Sequence, residues 1–513
     1  MPTTPSPAFA PPPPAAYTKL VAALRRVHRL ASALGILHWD QEVNLPPLSA
    51  PARGEELAAL SEIAHREAIR PEIGDWVAEL SSNLGRLTAE QACVVRWAKL
   101  NYDRATRLPP EFVARRAEVS SHAYHAWTAA RTAKNFSAFA PHLQSQLDLS
   151  REEAGLQGFT ANPYDYWLDR HDPGLTAVET DRLFAPLRAE LPPLAEHILD
   201  GAARRPAPEL RGFPVAAQES FVREVIAWLG FDFQRGRLDR SVHPFCGGSP
   251  EDARMTTRFD ADNPLDALFS CIHETGHGLY EQGLPVEHIG TALAEPVGMA
   301  VHESQSRLWE NQVGRSRAFW RYWEPRFRAA FSTQTASLSS EQLYLAINAV
   351  SRQPIRVEAD EVTYNLHVLL RFEIEQALFR GDLTVADAPA VWNELAQRFL
   401  GLTPRDDAEG ILQDIHWSHG SFGYFPSYTL GNMMAAQLWE AARVALPKLE
   451  DHFTAPGAPG TQTAPLRDWL RDKIHRLGKQ YDTAETCRHS TGRNLSADAL
   501  LRYLKERYGE IYG

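Results

Sequence analysis

Apolar residues recur at helical spacing along nearly the whole chain from Tyr17 onward, and strand-like alternation is scarce. Leu20, Val21, Leu24, His28 and Leu30 fall near a 3.6-residue period, and similar segments recur around 55–68, 88–104, 109–134, 175–200 and 215–229. Such a pattern predicts a large, mainly α fold. The best strand candidates lie between about 240 and 260. There His243-Pro244-Phe245 leads into Asp252-Ala253-Arg254-Met255-Thr256-Thr257-Arg258-Phe259, whose β-branched residues and alternate Arg side chains predict a short two-faced or edge strand. A stretch rich in Pro, Gly and Thr at 454–465 reads as a surface loop.

Residues 1–16 hold seven prolines, with no basic or apolar region of a signal peptide, and read as a disordered tail. No internal repeat or long linker divides the rest, so 17–513 is expected to be one domain. The chain is 44% hydrophobic, and it has no apolar run near the roughly 18–20 residues of a membrane span. With 53 Lys and Arg against 64 Asp and Glu, it lacks the basic block that nucleic acid requires. Neither a membrane nor a nucleic acid is therefore an expected partner. Cys93, Cys246, Cys271 and Cys487 are widely spaced without a CxxC, which indicates neither a disulfide framework nor a zinc ribbon and points to a reducing cytoplasm.

Chemistry concentrates in one helix. Asn263 and Pro264 open it as N-cap and first residue, and Gly283 with Pro285 closes it. Leu265, Leu268, Phe269, Ile272, Gly276 and Leu279 form a buried stripe, with His273 and His277 one turn apart at its edge. Together they spell HETGH, an HExxH sequence: two imidazoles on one face can hold a Zn²⁺, and Glu274 between them can reach a water on that ion.

A third ligand is needed. The extension that supplies a third histidine fails, because Tyr280 and Gly283 stand where Gly and His are required. A second helix opened by Pro296 and stopped at Gly314 offers Glu295, Glu303 and Glu310. Glu303 is preferred, since it lies mid-helix on a face that can pack inward.

Beyond HETGH the chain carries HPF at 243–245, DARMT at 252–256, HESQ at 302–305, IRVEAD at 355–360 and GILQDIHW at 410–417. With these motifs in this order, the sequence resembles the carboxypeptidase Taq family of metallocarboxypeptidases from Leu37-His38-Trp39-Asp40-Gln41 to the C-terminus. The resemblance implies a large helical peptidase with a deep active-site groove and a small β-sheet, related to the angiotensin-converting enzyme and neurolysin-like fold. It further implies that His273, His277 and Glu303 hold the metal, one Zn²⁺ per chain with Co²⁺ able to substitute. A homodimer that releases single amino acids from peptides with a free C-terminus is also implied.

The remaining assignments follow that frame. A three-ligand zinc keeps a position open for water, and Glu274 serves as general base towards it and then as acid towards the leaving amine. His416 and Tyr428 are the candidate donors to the oxyanion, partly by analogy with angiotensin-converting-enzyme-like peptidases, with Tyr424 the alternative to Tyr428. Arg356 is the candidate for the substrate carboxylate, because a planar guanidinium binds it bidentately. Its competing reading is an i,i+4 helix pair with Asp360, and Arg352 is the neighbouring substitute. Arg254 and Thr256 are expected to shape an edge strand that borders the groove, where a peptide could add by main-chain hydrogen bonds, or else to give structural support, and His243 and His302 to orient ligands or simply pack. Two rivals stand beside this reading: an endo- or oligopeptidase, which would cleave amidated peptides, and a silent helical binding protein, which would bind no metal.

Overall fold

The computed structural model describes residues 13–513, and helices dominate it. Of the proline-rich tail expected at 1–16, residues 1–12 lie outside the described residues. Its last two residues belong to the first helix, where Ala16 is already buried. Two compact units are formed: Met1–Thr106 with Pro285–Glu295, and Arg107–Leu284 with Pro296–Gly513.

In the first unit, α1 (Ala15–Val43), α2 (Ala50–Ala68), α3 (Pro71–Ser81) and α4 (Ala89–Arg107) surround a small core. Leu20 and Ala23 of α1 meet Ile73, Val77 and Leu80 of α3 and Val95 and Ala98 of α4. Helix α2 packs against α1 without fully burying any residue, and Leu57, Leu60 and Ala64 are half-buried.

The second unit holds α5 (Pro110–Ala133), α6 (Phe136–Leu156), α7 (Pro163–His171), α8 (Ala177–Arg204), α9 (Val215–Leu229), a sheet, and then eleven helices. These are α10 (Pro264–Glu281), α11 (Met299–Arg307), α12 (Arg317–Ala330), α13 (Ser332–Thr335), α14 (Ser340–Ile347), α15 (Tyr364–Arg380), α16 (Ala388–Leu400), α17 (Phe425–Ala445), α18 (Ala464–Lys473), α19 (Thr483–Thr491) and α20 (Asp498–Tyr512). Their starts follow capping chemistry. Asn162 accepts from Tyr164 N at α7, and Ser339 with Gln342 and Asp482 with Glu485 form capping boxes at α14 and α19. Asn263 makes no such side-chain bond at α10; Pro264 at the first turn sets that start alone.

The sheet consists of β1 (Gly236–Arg240), β2 (Phe245–Ser249) and β3 (Asp252–Thr257), in the order β1-β3-β2. Strand β3, expected at an edge, is central: β1 pairs with it in parallel and β2 antiparallel. The difference comes from β1, whose sequence GRLDR buries only Leu238, opposite Met255, and so carries almost no strand signal. Helix α10 packs on β2 and β3, with Leu268, Phe269, Ile272 and Leu279 in the main core. Helix α11 in turn lies between α10 and α17.

Candidate metal centre

Spacing of four on α10 places His273 and His277 on one face, with ring centroids 4.9 Å apart and planes at 82°. Two glycines bring the neighbouring helices to them. A Cβ on Gly276 would lie 2.5 Å from Ser306 Cα, and a Cβ on Gly431 would lie 2.6 Å from both Cβ and Cγ of Glu303. Only hydrogen fits at either position, so α11 seats directly against both α10 and α17. The Glu303 side chain, 7% exposed, then puts Oε2 3.7 Å from His273 Nε2 and 3.7 Å from His277 Nε2.

The three ligand atoms lie within 4.8 Å of one another. Ligands of a tetrahedral site with bonds of ~2.0–2.1 Å stand about 3.4 Å apart, so the spacing suits a divalent cation with one position left open. The far sides of both rings agree with this. His273 Nδ1 is 2.9 Å from Glu310 Oε2, and His277 Nδ1 is 2.5 Å from His302 Nδ1, whose Nε2 is 3.0 Å from Glu281 Oε1. With the carboxylates of Glu310 and Glu281 as acceptors at the far ends, each of these histidines donates from Nδ1, which leaves an Nε2 lone pair towards Glu303. Glu310 reaches His273 because α11 continues into a π-helical turn at Leu308–Gly314.

Arg307 bridges the carboxylates, donating from Nε to Glu303 Oε1 at 2.7 Å and from Nη1 to Glu310 Oε2 at 3.1 Å. Burial would raise the Glu310 carboxyl, but Arg307 and His273 hold it well below the usual range. Burial, followed by the charges of His302 and His273, keeps His277 neutral. His273 is pulled upward by Glu303 and Glu310 in spite of its burial. Glu274 lies between the histidines, only 7% exposed, and burial with the nearby glutamates pushes its carboxyl up to about 7.

The other expected residues stand as follows. Arg356 is 5% exposed, on a 3₁₀ turn at Arg356–Glu358. Its Nε and Nη2 donate to Asp414 Oδ1 at 3.0 Å each, and Nη1 donates to the Tyr364 hydroxyl at 2.9 Å. The helix pair with Asp360 does not form: Asp360 accepts instead from the backbone of Ser351, Val362 and Thr363. Arg352 is held elsewhere, by Glu196 and the Leu400 carbonyl.

His416 is half-buried, with Nδ1 unpartnered and burial lowering its pKa to about 4. Its ring lies 5.3 Å from that of Tyr424, which lies 5.2 Å from that of Tyr428. Burial raises the pKa of both tyrosines, and the charge of Glu303 adds to each, so both hydroxyls stay protonated near that carboxylate. His243 is exposed, whereas His302 contacts His277 directly.

Besides Arg307, Tyr364 and Asp414, three further participants escaped the sequence reading. Arg371 is fully buried on α15 and donates from Nε to Asp414 Oδ2 at 2.7 Å, so two guanidiniums share one carboxylate. Glu375 lies one turn further along the same helix, and Glu281 closes the chain behind His302. A signal for the first two was present: Arg371 and Glu375 lie one turn apart among the apolar residues of VLLRFEIEQALF, where a buried charge must have a partner.

Residues 19–508 match the carboxypeptidase Taq (M32) metallopeptidase family. Thermostable carboxypeptidase 1 of Thermus thermophilus is 39% identical over 98% of this chain and 100% of its own. Carboxypeptidase 1 of Bacillus subtilis is 34% identical over 95% and 97%. The crystal structure of the M32 carboxypeptidase from Deinococcus radiodurans superposes with a TM-score of 0.93 at 39% identity, covering 97% of this chain and 99% of that one. The chain belongs to this family and is a metal-dependent carboxypeptidase.

Proposed function

Proceeding from that membership, we propose that His273, His277 and Glu303 hold one Zn²⁺ per chain, with Co²⁺ able to replace it. When bound there, the cation supplies Lewis acidity, polarising the scissile carbonyl and acidifying a water. Glu274, between the two histidines, accepts the proton of the attacking water at its carboxylate and passes it to the departing amine. Its elevated pKa suits both directions of transfer. The developing oxyanion receives hydrogen bonds from the neutral imidazole of His416 and the hydroxyl of Tyr428.

Selectivity for the chain end is assigned to Arg356, and one observation carries this reading: Arg356 and Arg371, both buried, face the single carboxylate of Asp414. A substrate carboxylate entering there supplies the second anion. Three of Arg356's five N–H groups are used internally, leaving one on Nη1 and one on Nη2 for a bidentate contact. The substrates are then peptides with a free C-terminus. We further propose that residues 17–513 act as one metallocarboxypeptidase domain, in a cytoplasmic homodimer; the absence of CxxC pairs supports the compartment.

The assignment is tested with Arg356→Lys and Arg356→Ala. Trimming of free-ended peptides should fall for Lys and further for Ala, by about 2–4 kcal/mol in kcat/KM, with metal content unchanged. If Arg356→Ala trims as the parent does, the guanidinium only supports Asp414 and another donor holds the carboxylate.

A further inference from the structure

Helix α15 grips the segment that follows Asp414 at several points. Arg371 holds Gln413 and Asp414 at its start, and Glu375, one turn on, holds Trp417 and Gly423. The Glu375 side chain is fully buried. Its Oε1 accepts from Trp417 Nε1 at 2.7 Å, and its Oε2 accepts from Gly423 N at 2.9 Å and from the Tyr164 hydroxyl at 2.7 Å. Trp417 directly follows His416, and Gly423 directly precedes Tyr424. One carboxylate thus holds both ends of a short segment flanked by His416 and Tyr424, whose ring centroids lie 5.3 Å apart. Gly423 has φ +70°, and a Cβ there would lie 2.6 Å from the Trp167 carbonyl carbon, so the turn itself tolerates no side chain.

A buried carboxylate is a costly way to fill a core, and an apolar residue of similar size is often as good or better for stability. Burial accordingly pushes Glu375 up to about 7, against the opposing pull of Trp417, Gly423, Tyr164 and Arg371. What an anion provides beyond packing is direction: each oxygen fixes a separate N–H of the segment.

We propose that Glu375 is a positioning residue for peptide hydrolysis, holding Trp417 and Gly423 together so that His416 and the Tyr424–Tyr428 pair are presented to the substrate carbonyl in one fixed arrangement. The inference rests on the oxyanion role given above to His416 and Tyr428. Glu375 touches no substrate and acts through the segment it holds.

The test compares kcat and KM on a free-ended peptide at about pH 8, where Glu375 is mostly ionised, with metal content measured for every protein. Glu375→Gln keeps the size and one acceptor oxygen but turns an amide N–H towards a donor. It should lower kcat roughly 10- to 100-fold with KM within about twofold. Trp417→Phe, which removes one donor of the segment, should lower kcat in the same direction, and the double variant should fall short of the product of the two effects. Tyr164→Phe takes a donor from the same carboxylate without touching the segment, and should leave kcat within about twofold.

Parent kcat in both Glu375→Gln and Trp417→Phe overturns the proposal. So does a loss in Tyr164→Phe equal to that in Glu375→Gln, because the carboxylate then only supports the core. His416→Ala and Tyr428→Phe are measured alongside. If they keep the parent kcat, the oxyanion reading falls and takes this proposal with it; if they lose kcat while Glu375→Gln does not, the Glu375 proposal alone falls.

Discussion

Gly431→Ala places one methyl group where α17 meets Glu303. The added Cβ would stand 2.6 Å from Glu303 Cβ and Cγ, whereas carbon atoms rest at about 3.5–4.0 Å. Roughly 1 Å must be recovered. A flexible side-chain end could yield, but these atoms are the root of a residue fixed by Arg307 at Oε1. Helix α11 therefore moves, and Glu303 Oε2 leaves its position 3.7 Å from each histidine Nε2.

Metal–ligand lengths tolerate about ±0.2 Å, so a displacement of this size should weaken cation binding roughly 10- to 100-fold, or about 1.4–2.7 kcal/mol. Overpacking costs ~1–3 kcal/mol in the metal-free protein, offset by ~0.5–1 kcal/mol gained when Ala replaces Gly in a helix. Competition between the protein and a chromophoric chelator gives the affinity, and thermal unfolding followed by circular dichroism gives the stability. Gly155→Ala in α6 is the control, since nothing lies within 4 Å of its Cβ, and it should stabilise by ~0.5–1 kcal/mol without changing affinity. Parent-like cation affinity in Gly431→Ala would refute the claim that this close approach sets the ligand geometry.

Glu274→Gln should retain the cation while kcat falls by ~10²-fold or more, because the amide keeps the shape but accepts no proton; a parent-like rate would remove Glu274 as base. Chelation should abolish activity and lower Tm, since a cation at 100 times its Kd stabilises by ~2.7 kcal/mol; equal unfolding curves with and without chelator would contradict a site confined to the folded protein. Glu375 has a folded pKa raised to about 7, above the usual 4.5 of a glutamate, so the native chain keeps a proton there that the unfolded chain releases. Its stabilising contribution is present below about pH 4.5 and is lost as pH rises through about 7, at up to ~1.4 kcal/mol per pH unit. The stability of Glu375→Gln relative to the parent should therefore rise across that window, and a difference flat with pH in chemical denaturation would show that the carboxyl titrates normally.

Much of the fold was legible because periodicity reports burial directly. Helices α4, α5, α8, α9 and α10 begin and end within a few residues of the segments expected from apolar spacing. The histidine pair of the candidate site was legible for the same reason: i,i+4 spacing and a proline-opened helix are local facts about His273, His277 and Pro264. Strand β1 was hidden because GRLDR gains its place from pairing with β3 and not from its own composition. The helix following Pro296 begins later, at Met299, and passes into a π turn, since the requirement that Glu310 meet His273 is a contact between elements and leaves no periodic trace. The Arg356, Arg371 and Asp414 cluster joins three separate parts of the chain. Sequence spacing could name Arg356 but could pair it only with its neighbour Asp360, and the actual partner lies 58 positions away.

The most direct test of the whole account is a mass-spectrometric time course on one peptide presented with a free and with an amidated C-terminus, with and without chelator. Expected is a ladder of products shortened one residue at a time from the free-ended peptide only, vanishing with chelator and returning when Zn²⁺ is restored. Equal cleavage of the amidated peptide, or internal fragments from either, would contradict the carboxylate recognition assigned to Arg356.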